Sequence, residues 1–194
     1  MSPREPKSDL RKAAPPQSEA RPVEVKSTVR PRSRSRMAAV QALYQMDLAG
    51  TGLDDVIADF TQLRFAPTPP TADDAVADTD TDAESNDALV GADAQFFADL
   101  LRGVVRRQRD IDPLVDSQLA SGWRLARVDS ILRATLRSGT FELMERADVP
   151  GRVIINEYVD VAKAFFHDDE PKVINGVLDR LARRLRVEEF QNRG

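Results

Sequence analysis

The sequence predicts an all-α fold built from seven short helices. Two observations support this prediction: large apolar residues recur at helical spacing along most of the chain, and strand-like alternation is missing. The one candidate strand, VIIN at residues 153–156, is too short and runs into a helical pattern. With 194 residues, 41% of them hydrophobic and 31% charged, the chain is long enough for one globular domain with tails.

The first two helices are predicted at residues 34–49 and 53–65, with Gly50 and Gly52 ending the first of them. Each carries one apolar stripe, made of Met37, Val40, Tyr44 and Leu48 in the first helix and of Leu53, Val56, Phe60 and Leu63 in the second. A helix with a single apolar stripe buries that face and leaves the other face to solvent. Both are therefore expected to pack against later helices.

The third helix is predicted at residues 93–109 and a short fourth at 110–119, with Asp112 and Pro113 in the opening turn of the fourth. The apolar positions of the third helix are Phe96, Phe97, Leu100, Leu101, Val104 and Val105. Because proline fits the first turn of a helix far better than its interior, a helix boundary is expected between residues 109 and 110.

The last three helices are predicted at residues 125–146, 152–166 and 171–187. The fifth could bend at Gly139, Pro150 precedes the sixth, and the seventh has its stripe at Ile174, Leu178, Leu181 and Leu185. Gly176 lies inside the seventh helix, where glycine costs about 1 kcal/mol relative to alanine. We interpret it as a sign of tight helix packing.

Two segments are expected to be disordered. Residues 1–31 are rich in Pro, Ser, Glu, Lys and Arg, and residues 67–90 form an acidic loop of Pro, Thr and Asp. The folded domain is therefore expected at 32–190, interrupted by that loop. The formal net charge of −4 hides an uneven distribution: residues 1–36 hold ten Lys or Arg and four acidic residues, whereas residues 65–101 hold nine acidic residues and no Lys or Arg.

The composition excludes several classes of site. Absence of cysteine excludes disulfides and thiolate chemistry, and the single histidine, His167, excludes a multi-histidine metal site. We expect no metal and no cofactor. No apolar run approaches the ~20 residues of a membrane span. The N-terminus MSPREPKSDLRKAAPP lacks the apolar core of a secretory signal. We therefore expect no membrane contact and a cytoplasmic location.

Catalytic patterns are also missing. His167 lies beside Asp168 and Asp169, which is better explained by a surface loop and a helix cap than by part of a triad. Glu157 and Asp160 could pair, but nothing presents them to a cleft, and no glycine-rich phosphate loop is found. We predict that the protein is not an enzyme.

The candidate binding residues begin with arginines at alternate positions from Arg30 to Arg36, in a stretch expected to be extended and suited to RNA phosphates. The alternative is a solubilising tail. On the helix that follows, Arg34, Gln41 and Gln45 share a face bordered by Tyr44. Such side chains suit phosphates, base edges and stacking, although the face could equally be solvated, with Tyr44 in the core.

Two further basic features are open to the same question. Arg102, Arg106, Arg107 and Arg109 end the third predicted helix, where cations also stabilise the negative end of a helix. The structural interpretation is at least as good there. Lys172 lies outside the apolar stripe of the seventh helix and could reach an anion.

Four stretches resemble the NusB family of bacterial transcription antitermination factors: RSRMAAVQALYQMDLAG, WRLARVDSILRATLRSGTFEL, DVPGRVIINEYVDVAKAF and KVINGVLDRLAR. They occur in the family's order and cover about residues 32–187, apart from the acidic loop. The resemblance implies an all-α fold of two small helical bundles. It also implies binding of boxA RNA with the ribosomal small-subunit protein NusE, in a complex that lets RNA polymerase read through terminators in rRNA operons.

The resemblance also implies which residues bind. The family's RNA contacts correspond to Arg32, Arg34, Arg36, Gln41, Tyr44, Asp169 and Lys172 in this sequence, and Glu142 lies in the region associated with the NusE partner. Two departures are notable. Val173 stands where relatives often have an aromatic residue, which removes a stacking platform, and the acidic loop is longer than expected.

Two other functions compete with this one. A NusB-like domain also occurs fused to rRNA methyltransferases, but such an enzyme needs a downstream cofactor-binding α/β domain, and none is expected because the sequence ends at Gly194. The other is a helical adaptor that binds only protein. RNA binding measured with and without the basic arm separates it from an antitermination factor.

Overall fold

The structure is a computed structural model that describes residues 30–67 and 88–191. Within these residues every regular element is helical and no strand is present. The α-helices are α1 (Pro31–Ala49), α2 (Leu53–Asp59), α3 (Ala94–Asp116), α4 (Ser130–Glu145), α5 (Gly151–Phe165), α6 (Glu170–Leu185) and α7 (Val187–Gln191). None of the helices described is long and apolar enough to cross a membrane. The predicted all-α class is confirmed.

The helices form two small bundles that share α4. Helices α1, α2 and α3 pack together at the N-terminal side, and α4, α5 and α6 pack together at the C-terminal side, while α4 also contacts α1 and α3. The predicted apolar stripes form one continuous core, with Val40, Val56, Leu101, Ile174 and Leu178 fully buried. Burial of about 25 cal/mol per Å² of apolar surface is the main force that holds such bundles together.

Local signals explain where the helices begin and end. Gly50 ends α1 in a left-handed conformation (φ 64°) that favours glycine. The Asp93 carboxylate accepts from the Phe96 backbone N–H (3.0 Å) at the start of α3, and the Asp129 carboxylate accepts from Ile131 N–H (2.8 Å) at the start of α4. Each carboxylate satisfies a donor that has no partner inside its own helix.

Four boundaries differ from the predictions. Helix α1 begins at Pro31 rather than 34, so the predicted extended arm is wrong for the residues from Pro31 onward. The predicted third and fourth helices form one continuous helix, α3. Pro113 lies within four residues of the end of α3, and the fully buried Ile111 and Val115 hold this last turn against the core. The predicted fifth helix begins with a separate 3₁₀ turn at Leu125–Arg127. Helix α7 was not predicted.

Two of the glycines behave differently from expectation. Helix α4 runs through Gly139 without a break, and a Cβ there would lie 2.8 Å from Leu178 Cδ1, so Gly139 is where α4 and α6 approach closely. A Cβ at Gly176 would meet only the end of the Arg180 side chain, at 3.5 Å. The prediction of tight packing at Gly176 is therefore wrong.

The predicted disordered segments lie mostly outside the described residues. Of the tail at 1–31 only Arg30 and Pro31 are described, and of the acidic loop at 67–90 only Pro67 and residues 88–90. The ends of that loop are close together, because Gly91 N–H donates to the Phe65 carbonyl (3.2 Å). Leu89 and Phe65 are both buried, which anchors the two ends in the core.

Candidate nucleic-acid interface

The first turns of α1 dock on the segment that leads into α3. The Arg32 Nε lies 3.8 Å from Asp93 Oδ2, and its guanidinium lies 5.2 Å from the centre of the Phe96 ring, with 53% of the side chain exposed. Arg34 donates to the Val90 carbonyl. Because residues two apart on a helix point to opposite sides, the alternate arginines cannot form one basic face.

The predicted RNA-binding residue Arg36 and the predicted partner-binding residue Glu142 lie together in the interior. Arg36 Nε and Nη2 donate to the two Glu142 oxygens at 2.8 and 2.7 Å, and only 4% and 0% of the two side chains are exposed. Tyr158 O–H donates to Glu142 Oε1 (2.7 Å), and Glu157 lies 3.3 Å from Arg36 Nη1. Neither Arg36 nor Glu142 is accessible, so the structure does not support a direct contact for either residue.

This buried network keeps its charges. Burial by itself would lower the pKa of Arg36, but the hydrogen bonds to Glu142 and the nearby negative charges raise it above its ordinary value. Burial, followed by the negative charge of Glu142, raises the pKa of Tyr158 well above its ordinary value. Tyr158 therefore remains a protonated donor. The network joins α1, α4 and α5 and fixes the position of α1.

A groove of about 420 Å³ runs along the outer face of α1 and contains Gln41 and Tyr44. It is lined by Val40, Gln41, Tyr44, Gln45, Leu48, Ala49, Arg64, Ile131 and Phe165. Gln41 and Tyr44 are partly exposed. The Gln41 Oε1 atom is buried and has no hydrogen-bonding partner among residues 30–67 and 88–191. A buried amide oxygen without a partner is uncommon and marks a place where a ligand donor would be stabilising.

The turn before α6 carries the other two predicted residues. Lys172 Nζ donates to Asp169 Oδ1 (2.7 Å), and both side chains are more than 80% exposed. This hydrogen bond lowers the pKa of Asp169 and raises that of Lys172. Asp169 lines a second depression, whose wall includes Leu132, the neighbour in sequence of Ile131 in the α1 groove. Lys172 lies at the edge of a third, smaller one.

Phe165 and Arg64 were not predicted as site residues. Phe165 ends α5 and has the spacing of a core residue. Arg64 lies in a short π-helical turn at Phe60–Arg64, with its guanidinium 4.4 Å from the centre of the Phe60 ring. Only the packing of α5 and this turn against α1 brings them to the groove. The second basic cluster lies inside α3 rather than at a helix end, and two of its four arginines are paired: Arg107 with Asp110 (2.8 Å) and Glu145 (2.6 Å), and Arg102 with Asp54 (3.7 Å). No group of acidic or histidine side chains within the described ranges could hold a metal ion.

Comparison with known proteins gives a consistent result. The profile of the NusB family matches residues 33–183. The transcription antitermination protein NusB of Caulobacter vibrioides is 51% identical over 158 residues, which are 81% of this chain and 96% of that protein. The protein of the same name from Sinorhizobium medicae is 47% identical over 161 residues, covering 83% and 91% of the two chains.

Solved structures share the fold. A structure of T. maritima NusB superposes with a TM-score of 0.59 at 26% identity, covering 84% of this chain and 98% of that one. A structure of the antitermination factors NusB and NusE in complex with dsRNA matches with a TM-score of 0.60 at 22% identity, covering 80% and 98%. At that identity the second match supports the fold alone.

Proposed function

The chain belongs to the NusB family, and from this we propose that it is a transcription antitermination factor that binds boxA-type RNA together with NusE in rRNA operons. Its place of action is the RNA polymerase antitermination complex in the cytoplasm. The role is binding rather than catalysis. Family membership motivates both partners, and the solved structure of NusB and NusE with dsRNA shares this fold.

The observation that supports RNA binding best is the groove along α1. Gln41 and Gln45 present amides that can pair with base edges, and Tyr44 and Phe165 present rings on which an unpaired base can stack. A rotation of the Gln41 side chain would bring its unpaired Oε1 to the groove, where it can accept from a base amino group. Arg64 adds a cation at its rim.

Charged residues outside the groove supply contacts to the RNA backbone. Arg32 and Lys172 are exposed cations that can neutralise phosphates. Arg34 is held at the Val90 carbonyl and places its charge at the start of α1. Asp169 is an acceptor for a base amino group or a 2′-hydroxyl. Arg36 and Glu142 act indirectly, because their buried pair positions α1.

The test is a fluorescence anisotropy titration of boxA-type RNA and a scrambled RNA of equal length, with and without NusE. We expect boxA RNA to bind more tightly than the scrambled RNA, and NusE to increase the difference. The double variant Gln41→Ala/Tyr44→Ala should weaken boxA binding about tenfold or more, because it removes a stacking ring and a base contact. Gln95→Ala, on the exposed side of α3, is the matched control and should bind normally.

The alternatives have distinct outcomes. Equal binding of boxA and scrambled RNA, both with and without NusE, contradicts boxA recognition. Binding of NusE without any binding of RNA would identify the chain as a protein-binding helical adaptor instead.

A further inference from the structure

Trp123 is the only tryptophan in the chain, and 48% of it is exposed. A tryptophan ring normally contributes a large buried area, so an exposed one is an unusual surface feature. It lies between two adjoining depressions of about 440 and 170 Å³. Trp123 and Val173 line both of them, which makes the two depressions parts of one surface.

Hydrogen bonds order the turn that carries this ring. The backbone N–H of Trp123 donates to the Ala120 carbonyl (2.9 Å). Gly122 adopts a left-handed conformation (φ 86°) that favours glycine in the tight turn. Arg180 Nη2 donates to the Gln118 carbonyl (2.6 Å), which ties the turn to α6. The backbone from which the ring projects is therefore ordered before a ligand binds, which lowers the entropy cost of binding.

Cations outnumber carboxylates by four to three around the two depressions. Arg124 and Arg127 line the larger depression, and their side chains have no hydrogen-bonding or ion-pair partner in the described part of the chain. Three carboxylates also line it: Asp129 caps α4, Asp169 pairs with Lys172, and Glu170 lies in the first turn of α6. Two arginines next to an exposed aromatic ring suit a phosphate backbone with an unstacked base.

We propose that Trp123 stacks on a base of single-stranded RNA next to the segment bound at Asp169 and Lys172, and that Arg124 and Arg127 bind its phosphates. This inference rests on the proposed RNA-binding function and extends its surface. The two surfaces are continuous, since Asp169 and Trp123 line the same depression. Trp123 lies beside Val173 and supplies the aromatic ring that Val173 lacks. The arginines favour RNA over an apolar protein segment.

The intrinsic fluorescence of Trp123 tests the proposal directly, because no other tryptophan contributes to it. The probe is boxA-type RNA lengthened by about six single-stranded nucleotides on each side and labelled for anisotropy. We expect tryptophan emission to be quenched with the same midpoint as the rise in anisotropy. A rise in anisotropy with unchanged emission overturns the Trp123 proposal and leaves RNA binding intact, whereas no rise in anisotropy contradicts the proposed function itself.

Variants provide the second measurement. Trp123→Ala should weaken binding of the lengthened RNA about tenfold, and Trp123→Phe should retain most of the affinity because a ring remains. Arg124→Ala/Arg127→Ala should reduce the slope of log K against log salt by about 1.4. Arg109→Ala removes an exposed cation outside both depressions and should change neither quantity. Circular dichroism establishes that each variant is folded.

One result would assign the surface to a protein. If Trp123→Ala is folded and binds RNA normally but loses NusE binding, the ring is a protein contact and the RNA proposal is wrong.

Discussion

The Arg36 guanidinium donates two hydrogen bonds to the Glu142 carboxylate inside the protein, and Tyr158 O–H donates a third. Transfer of both ions out of water is costly, and their attraction offsets that cost only while both are present. An arginine that lies close to an RNA surface in the sequence need not contact RNA, because it can be buried in such an ion pair. Arg32 and Arg36 are four residues apart, yet one is exposed and the other buried.

Removal of one partner from this pair should be strongly destabilising. Arg36→Ala leaves a buried carboxylate without its counter-charge, so we expect the free energy of unfolding to fall by about 3 to 5 kcal/mol. The double variant Arg36→Met/Glu142→Leu, which leaves no fully buried ion unpaired, should be less destabilised than Arg36→Ala. Urea denaturation measures both. A loss below about 1 kcal/mol in Arg36→Ala would contradict the structural role of the pair.

Asp148 gives a prediction about pH. Two hydrogen bonds from Arg146, both 2.8 Å, lower the pKa of Asp148 from about 3.8 to about 2. A carboxyl with a lower pKa in the folded state stabilises the fold above the unfolded value and loses this contribution as pH falls toward the folded value. The pair is exposed, so its contribution is below about 1 kcal/mol.

Asp148→Asn should therefore be slightly less stable than the parent protein at pH 6, and this difference should shrink steadily as pH falls from about 4 to about 2. Asp168→Asn, which removes an exposed carboxyl without an ion pair in the described ranges, is the control. Urea titrations at several pH values measure the difference, and a difference that stays constant down to pH 2 would show that the Arg146 pair is not its cause.

At the scale of elements, apolar spacing predicts which segments are helical but does not decide what each helix touches. Val40 and Tyr44 share the predicted stripe of α1 with Leu48, yet Leu48 is 64% exposed because it lies beyond the bundle contact. Leu63 is 72% exposed for a different reason: it lies in the π-helical turn, which rotates it off the stripe of α2. The groove depends on such tertiary contacts, as Phe165 shows, and could not be predicted from α1 alone.

Two glycines that look alike in the sequence should respond in opposite ways to alanine. A Cβ at Gly103 would lie 2.0 Å from Phe141 Cζ, where α3 crosses α4, so we expect Gly103→Ala to destabilise the protein by about 1 to 3 kcal/mol. Gly176 has room for a methyl group, and Gly176→Ala should increase stability by up to about 1 kcal/mol. Thermal and urea unfolding measure both. Destabilisation by Gly176→Ala would show that α6 packs more tightly there than the structure indicates.

At the scale of the whole molecule, charge is separated along the chain. Seven acidic residues and no lysine or arginine occupy residues 68–87, although the proposed RNA surface presents exposed cations at Arg32, Arg124, Arg127 and Lys172. An acidic total is compatible with RNA binding because phosphates respond to the local positive potential. Salt screens the interaction between charges that are more than about 10 Å apart, so acidic residues far from the RNA surface have little effect. The sequence predicted this separation, but it could not place the basic residues, since Arg124 and Arg127 reach the surface through the fold.

Replacement of residues 68–87 by a short Gly/Ser linker tests the role of this acidic segment. Its anchors are already close, since Gly91 N–H donates to the Phe65 carbonyl, so we expect the melting temperature to stay nearly unchanged. The formal net charge would change from −4 to +3, because seven acidic residues are lost. RNA binding at low salt should then tighten, on the order of tenfold, and the gain should disappear as salt is raised.

A second variant, with the same seven acids changed to Asn or Gln at unchanged length, separates charge from length and should show the same gain. A fall in melting temperature of more than a few degrees in the linker variant alone would show that the segment packs on the core, while unchanged RNA affinity in both variants would show that its charge does not reach the RNA surface.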